Sequence, residues 1–361
     1  MIAKSEVPIP TRGNHRILGL DSLRFVCAIW VVLHHGARPE IAAWLGLSNV
    51  AQDWNAVAFN GVAAVIVFFV ISGLCVHYPY ARSEPCELPA YFAQRYVRVG
   101  IPLLVVMGFM KFSGRFVGDD VANGPIMVLW SLWCELIYYT IYPALLIAFR
   151  RYGFMPVLIA GFIAAYAVIF THWDVIYYAT YSRTLAWLTA LPAWLLGCVI
   201  AQMIAAGRLP ALPGSVWWWR VAAVLLSIPP KALVYKSISP VVIGNPATLT
   251  MFSLFVFLWL IKEISVFRIN PPPAILEWGG RWSYSLYLVH HVVIVAFLHV
   301  SKDIPEFVLW PLRLTAIFVA SYAFYVVVER PGHLLARAIA RQLKKQRDEA
   351  KTRVTTVLVS R

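Results

Sequence analysis

Apolar residues run along most of this chain in stretches of roughly twenty, broken by short polar links. Ten such stretches can be drawn, at 18–36, 56–77, 93–112, 126–149, 153–171, 183–206, 216–234, 247–261, 282–300 and 307–328. A helix that crosses a bilayer needs about 20 predominantly apolar residues. The pattern therefore predicts an all-α, polytopic transmembrane helix bundle of about ten spans. Proline and glycine punctuate the links, as at Pro79/Pro85/Pro89, Pro229–Pro230 and Pro271–Pro273. The longest links, such as Ala37–Asn55 and Lys262–Arg281, hold about 20 residues, too few to bury a core of their own. No internal repeat is evident, which counts against inverted-repeat transporters. One domain over 1–361 is expected, with a cytoplasmic segment at 1–17 and a basic tail at 332–361.

Composition agrees. Of 361 residues 60% are hydrophobic and 13% charged, against about 25% charged in soluble domains, and the mean hydropathy is +0.70. The first 16 residues are polar and basic and lead straight into a full span, so no cleavable signal is expected. The net charge is +14, and 23 of the 31 lysines and arginines fall on the side of the two chain ends. By the positive-inside rule both termini are cytoplasmic and the bundle sits in the inner membrane. The tail sequence ARQLKKQRDEAKTR then suits either a helix near anionic headgroups or a solvated tail, rather than nucleic-acid binding. The five cysteines show no metal or redox spacing; they read as core filler, with no disulfide and no metal expected.

Polar residues inside the spans change the picture from scaffold to site. Leu129–Phe149 carries Glu135 near its middle, where a carboxylate costs about 2.5–3.5 kcal/mol on insertion scales. Ser131, Glu135, Tyr138 and Tyr142 fall at i, i+4, i+7 and i+11, one helical stripe. It suits a functional wall or a hydrogen-bond seam between helices. In LDSLRFVCAIWVVLHH, Asp21 and Arg24 are i,i+3 and can pair. Arg24 and His35, eleven residues apart, fall within about 20° on a regular helix, whereas His34 points about 80° away. Histidine near neutral pH is a natural general base, so His35 is the candidate, with a headgroup-binding histidine pair as the other reading. Arg95 and Arg98 project two guanidinium groups from one face, a fork pair suited to phosphate or an ordinary arginine collar. In RWSYSLYLVHH, Ser283, Tyr287 and His290 are i, i+4, i+7, with Tyr284 and His291 on the neighbouring face: a polar cavity wall or packing glue. Glu329–Arg330–Pro331 reads as a helix end.

Taken in order, LDSLRFVCAIWVVLHH, FFVISG (Phe68–Gly73), RYVR (Arg95–Arg98), LWSLWCELIYY and SYSLYLVH resemble the signatures of the acyltransferase 3 family of integral membrane acyltransferases, over nearly the whole chain. The resemblance implies transfer of acyl groups to sugars or other hydroxylated compounds. The family histidine, fourteen positions after the motif aspartate, falls on His35. The RxxR pair, associated with the donor acetyl-coenzyme A, falls on Arg95 and Arg98, and the motif glutamate on Glu135. As carboxylates do in triads, Glu135 is expected to orient or charge-stabilise the His35 imidazole. Two departures stand out. The acidic residue often found before FF is absent from AVIVFF, and no stretch has the composition of the hydrolase-like domain fused in some members, so an acceptor presented at the membrane is expected.

The expected activity is O-acylation of a carbohydrate or glycoconjugate by an acetyl or short acyl group from acyl-coenzyme A. No cofactor is permanently bound, and acyl-coenzyme A, the acceptor and membrane lipids are the partners. A secondary transporter with a Glu/Arg/His relay, or a non-catalytic partner of a polysaccharide export machine, would use some of the same residues. Topology is open to direct test. With single cysteines at Ser48 and Ser83 in a cysteine-depleted chain, a membrane-impermeant thiol reagent added to intact cells should label position 48 and spare 83. The reverse pattern inverts the bundle.

Overall fold

A computed structural model describes residues 17–82, 84–117, 129–181, 184–300 and 305–359. Ser83 and nearly all of the 1–17 segment lie outside the described residues, as does much of the link from Lys111 to Asn123. Among the described residues every regular element is a helix: α1 Leu20–Val32, α2 Ile41–Trp44, α3 Asn49–Ala58, α4 Gly61–His77, α5 Leu88–Val117, α6 Trp130–Tyr152, α7 Phe154–Thr171, α8 Ala186–Ala205, α9 Val216–Ala232, α10 Asn245–Phe267, α11 Ala274–Gly280, α12 Ser283–Val300, α13 Glu306–Phe324 and α14 Arg330–Val359. Each of the ten apolar stretches holds a helix. Among the described residues, seven helical runs are long and apolar enough to cross a membrane by length and composition. The end of the bundle where α1 starts is called proximal here, and the end where it finishes is called distal.

α4 is apolar around its circumference, as a helix buried on every side must be. It packs most extensively on α8. Small residues permit this contact. A Cβ on Gly73 would lie 1.9 Å from the Trp194 carbonyl oxygen, and one on Gly197 would lie 2.0 Å from that of Val70. The two backbones therefore touch, as small-residue interfaces allow in membranes. α11 closes on α1 in the same way: a Cβ on Gly280 would meet the Asp21 carbonyl oxygen at 2.1 Å.

Two carboxylates hold helix starts at the proximal end. Glu277 accepts from the backbone N–H and hydroxyl of Ser22 (3.2 and 2.8 Å), and Glu329 from those of Ser285 (3.0 and 2.5 Å). Each sits on unpaired N–H groups of a first helical turn, where negative charge is favoured. Glu329 does not end a helix, contrary to expectation. A π-turn at Tyr325–Glu329 carries the chain from α13 into α14, and Pro331 stands in the first turn after it. A proline is tolerated where the regular i→i−4 ladder is already interrupted. The basic tail is thus a continuous helix packed along α5, with Ala336 and Ala340 buried and Arg347 paired to Glu87. All five cysteines are free.

The α4–α8 contact gives a sharp prediction. Gly73→Ala should lower the thermal midpoint of the detergent-purified protein by the equivalent of about 1–3 kcal/mol, the usual cost of overpacking. Gly108→Ala, on an exposed helical face with nothing within 4 Å of the new Cβ, should leave it unchanged or raise it. Equal midpoints for the two variants would contradict the backbone contact.

Candidate active site

A cavity of about 390 Å³ opens between α1, α4, α5, α6 and α12. Arg24, Arg95, Arg98, Arg281 and Arg337 line it, against Asp21, Glu135 and Glu329. Five guanidinium groups facing three carboxylates make its walls suited to an anion. The arginines are held by backbone and sulfur as well as by acids. Arg24 pairs with Asp21 at 3.1 Å, the i,i+3 pairing that the spacing predicts, and donates to Cys75 Sγ at 3.2 Å. Arg95 donates to the Cys75 carbonyl oxygen at 3.3 Å, and its guanidinium faces the Tyr91 and Tyr139 rings at 6.0 and 5.7 Å. Its Nε is buried without a partner among the described residues. Arg98 donates from Nε to His333 Nε2 at 2.9 Å and lines the cavity.

Glu135 belongs to this cavity and not to the histidines. It accepts a 2.5 Å hydrogen bond from Ser72 and a further one from Tyr139. Sequence reasoning makes it the orienting partner of His35, but its bond to Ser72 on α4 and its place in the cavity lining set it beside the arginines. The α6 stripe also divides. Ser131 and Glu135 line the cavity, while Tyr138 and Tyr142 turn into the core, Tyr138 donating to the Trp187 carbonyl oxygen at 2.7 Å and Tyr142 lying 2.9 Å from His77 Nδ1. Tyr139, one residue along, takes the place that the spacing assigns to Tyr138. Cys75 likewise is no filler: its sulfur and carbonyl bridge Arg24 and Arg95.

Tyr287 forms the inner wall of the cavity. Its hydroxyl is 2.6 Å from Ser131 Oγ, and its ring meets Phe68 edge-on at 6.2 Å. Beyond it the histidines begin: the His290 ring is 5.9 Å from that of Tyr287 and 5.2 Å from that of His35. His35 does not line the arginine cavity. α1 opens into a π-turn at Leu33–Ala37, so the regular-helix angle between Arg24 and His35 fails over the last turn. Gly36, at φ 103°, takes the left-handed conformation that ends the helix at His35.

The hydrogen bonds fix the imidazole tautomers. A carbonyl can only accept, so His290 carries its proton on Nδ1, 3.2 Å from the Leu286 oxygen, and offers Nε2 as an acceptor. His35 Nδ1 lies 3.0 Å from the Val31 oxygen and 3.2 Å from that Nε2, so it too is protonated and donates to both. The Nε2 of His35 is left with a free lone pair. His34 differs. Buried Lys231 donates to His34 Nδ1 at 3.0 Å, and to the carbonyl oxygens of Ala56 and Phe59 at 2.6 and 2.9 Å. The Phe59 carbonyl oxygen lies 3.0 Å from the same Nδ1, so Lys231 and that carbonyl together occupy one side of the His34 ring. His291, with both ring nitrogens buried and unpartnered, closes the group, its ring 6.4 Å from that of His35.

The structure thus unites Asp21, Arg24, Arg95, Arg98, Ser131, Glu135 and Tyr287 in one cavity, with His290 and His35 beyond its wall. Sequence reasoning missed Ser72, Cys75, Tyr139, Arg281, Glu329, His333 and Arg337. Ser72 stands inside FFVISG, and Glu329 is an acid at the end of an apolar run, so both left a trace. A sequence model of the acyltransferase 3 family, described as an acyltransferase domain, matches residues 17–330. The chain belongs to this family. It is a membrane acyltransferase, and the matched region takes in the histidine group and the lining of the arginine cavity except His333 and Arg337. No curated protein and no solved structure matches the chain.

Proposed function

We propose that this acyltransferase moves an acetyl or similar short acyl group from acyl-coenzyme A to a hydroxyl of a carbohydrate or glycoconjugate. One observation carries the reading: an arginine-walled cavity suited to a polyanion ends one ring away from a histidine pair whose outer member has a free Nε2. Arg95 and Arg98 hold the donor phosphates, with Arg24, Arg281 and Arg337 adding charge along the walls. The thioester end reaches past Tyr287, which requires the Tyr287–Ser131 contact to open. His35 Nε2 takes the proton of the acceptor hydroxyl as its oxygen bonds to the thioester carbonyl carbon. The carbon–sulfur bond then breaks, and the departing coenzyme A thiolate recovers the proton from the imidazolium. Proton transfer of this kind is worth about 10²–10⁴-fold.

His290, rather than Glu135, keeps His35 in the tautomer that this step needs. Glu135 holds Ser72 and Tyr139 and counters the arginine charge. The distribution of basic residues supports an inner-membrane location with both termini cytoplasmic. The proximal cavity then faces the cytoplasmic coenzyme A pool, and the acceptor comes to His35 from the distal side.

Coenzyme A binding to the purified protein, measured by calorimetry, tests the donor assignment. Arg95→Ala/Arg98→Ala should bind at least tenfold more weakly, a loss of about 1.4 kcal/mol or more. The double Lys variant should fall in between, because lysine keeps the charge and loses the fork. Unchanged binding in the Ala variant would reduce the pair to a collar.

A further inference from the structure

A second cavity, of about 570 Å³, lies on the other side of α1, between α1, α4, α9 and α10. The arginine cavity takes Asp21 and Arg24 from α1, whereas this one takes Leu23, Cys27 and Trp30. Along α9 its lining runs from Val216 to Ser227, about 16 Å at 1.5 Å per residue. It is tall, narrow and apolar. At the distal end Asn60 closes it, donating to the Ser227 carbonyl oxygen at 2.8 Å and accepting from the Ala63 N–H at 3.2 Å. That end is satisfied internally and leaves nothing for a polar headgroup.

The proximal end is built differently. Glu263 is fully buried in the wall and accepts from Arg220 Nε and Nη2 at 2.7 and 2.8 Å and from Trp259 Nε1 at 3.0 Å. The guanidinium faces the rings of Trp217 at 4.9 Å and Phe267 at 5.8 Å. A buried ion pair among apolar helices is costly and marks a site by default. Here it fixes the plane of Arg220 at the cavity mouth. One edge of the fork is used by Glu263, and Nη1 has no acceptor among the described residues. Beside it Trp217 is two-thirds exposed, the residue and position expected at a membrane interface.

We propose that this cavity binds one acyl chain of a glycerophospholipid from the proximal leaflet, with the phosphate diester accepting from Arg220 Nη1. A single polar end beside an exposed tryptophan and an apolar shaft about as deep as one leaflet, half of a core about 30 Å thick, fit that ligand. The chain then supports α1 from behind, opposite the face that carries Arg24.

Two experiments on the full chain test this. First, the purified protein is reconstituted with a phosphatidylglycerol carrying a photoreactive group in its acyl tail, and the labelled peptides are mapped. Peptides of α1 and α9 facing the cavity should be labelled at least fivefold more than α7, an apolar helix with an outward face. Equal labelling of α7 overturns the proposal, and this arm needs no variant to fold. Second, bound phospholipid is counted by mass spectrometry after a delipidating detergent wash. Wild type should retain about one per chain. Ala223→Trp, which fills the shaft, and Arg220→Gln/Glu263→Gln, which removes the phosphate donor without stranding a charge, should each retain at least tenfold less while eluting as monodisperse protein. Retention equal to wild type in either monodisperse variant, or none in the wild type, overturns it. Both readouts are independent of acyl transfer, so the proposed function can fail without this site failing.

Discussion

An arginine inside an apolar bundle has no water to turn to, and its guanidinium must find acceptors in the protein or in a ligand. Arg24 and Arg95 meet this constraint through Asp21, through both the sulfur and the carbonyl of Cys75, and through the faces of Tyr91 and Tyr139. These bonds tie α1, α4, α5 and α6 to one another at a single depth. Acids complete the frame: Glu135 ties α6 to α4 through Ser72, and Glu329 holds the start of α12. What the protein leaves unfilled among them is an anion-shaped space, because the cations outnumber the carboxylates around it.

α1 organises the molecule around that space. One face carries Asp21 and Arg24 into the polar cavity, the opposite face carries Leu23, Cys27 and Trp30 into the apolar one, and its distal end presents the histidines. Residues at i and i+3 can share a cavity while i+2 and i+6 face away from it, so a helix of thirteen residues serves three environments. The π-turn and Gly36 then break the helical phase at the point where His35 must meet His290. Two adjacent histidines acquire different neighbours for the same reason. Lys231 and the Phe59 carbonyl flank the Nδ1 of His34, while the Val31 carbonyl and the His290 imidazole flank the Nδ1 of His35.

How much of this was legible in the sequence follows from the range of each interaction. Apolar runs of span length located every one of the ten helical stretches, because the bilayer imposes that length locally. Asp21–Arg24 and the shared face of Arg95 and Arg98 were legible because i,i+3 spacing holds on any regular helix. Tyr138 and Tyr139 could not be told apart, since α6 turns its face according to where α4 and α8 lie. Glu135 was expected beside His35, whereas it bonds Ser72 and lines the arginine cavity, a placement set by how α6 packs against α4 and out of reach of local spacing. Glu329 looked like a helix end since Pro331 follows it, and a π-turn has no local signature strong enough to overrule a proline. The contact between Gly73 and Gly197 joins residues far apart in the chain, and neither glycine announces its partner.

The central claim is that His35 is the base and His34 is not. Isotope-labelled acetyl groups, supplied as acetyl-coenzyme A to membranes carrying each variant, can be followed into the glycan fraction by mass spectrometry. His35→Ala should lower incorporation by about 10²–10⁴-fold, the usual worth of a general base. His34→Ala, whose imidazole serves Lys231, should stay within tenfold of wild type. Incorporation abolished by His34→Ala and retained by His35→Ala would contradict the account.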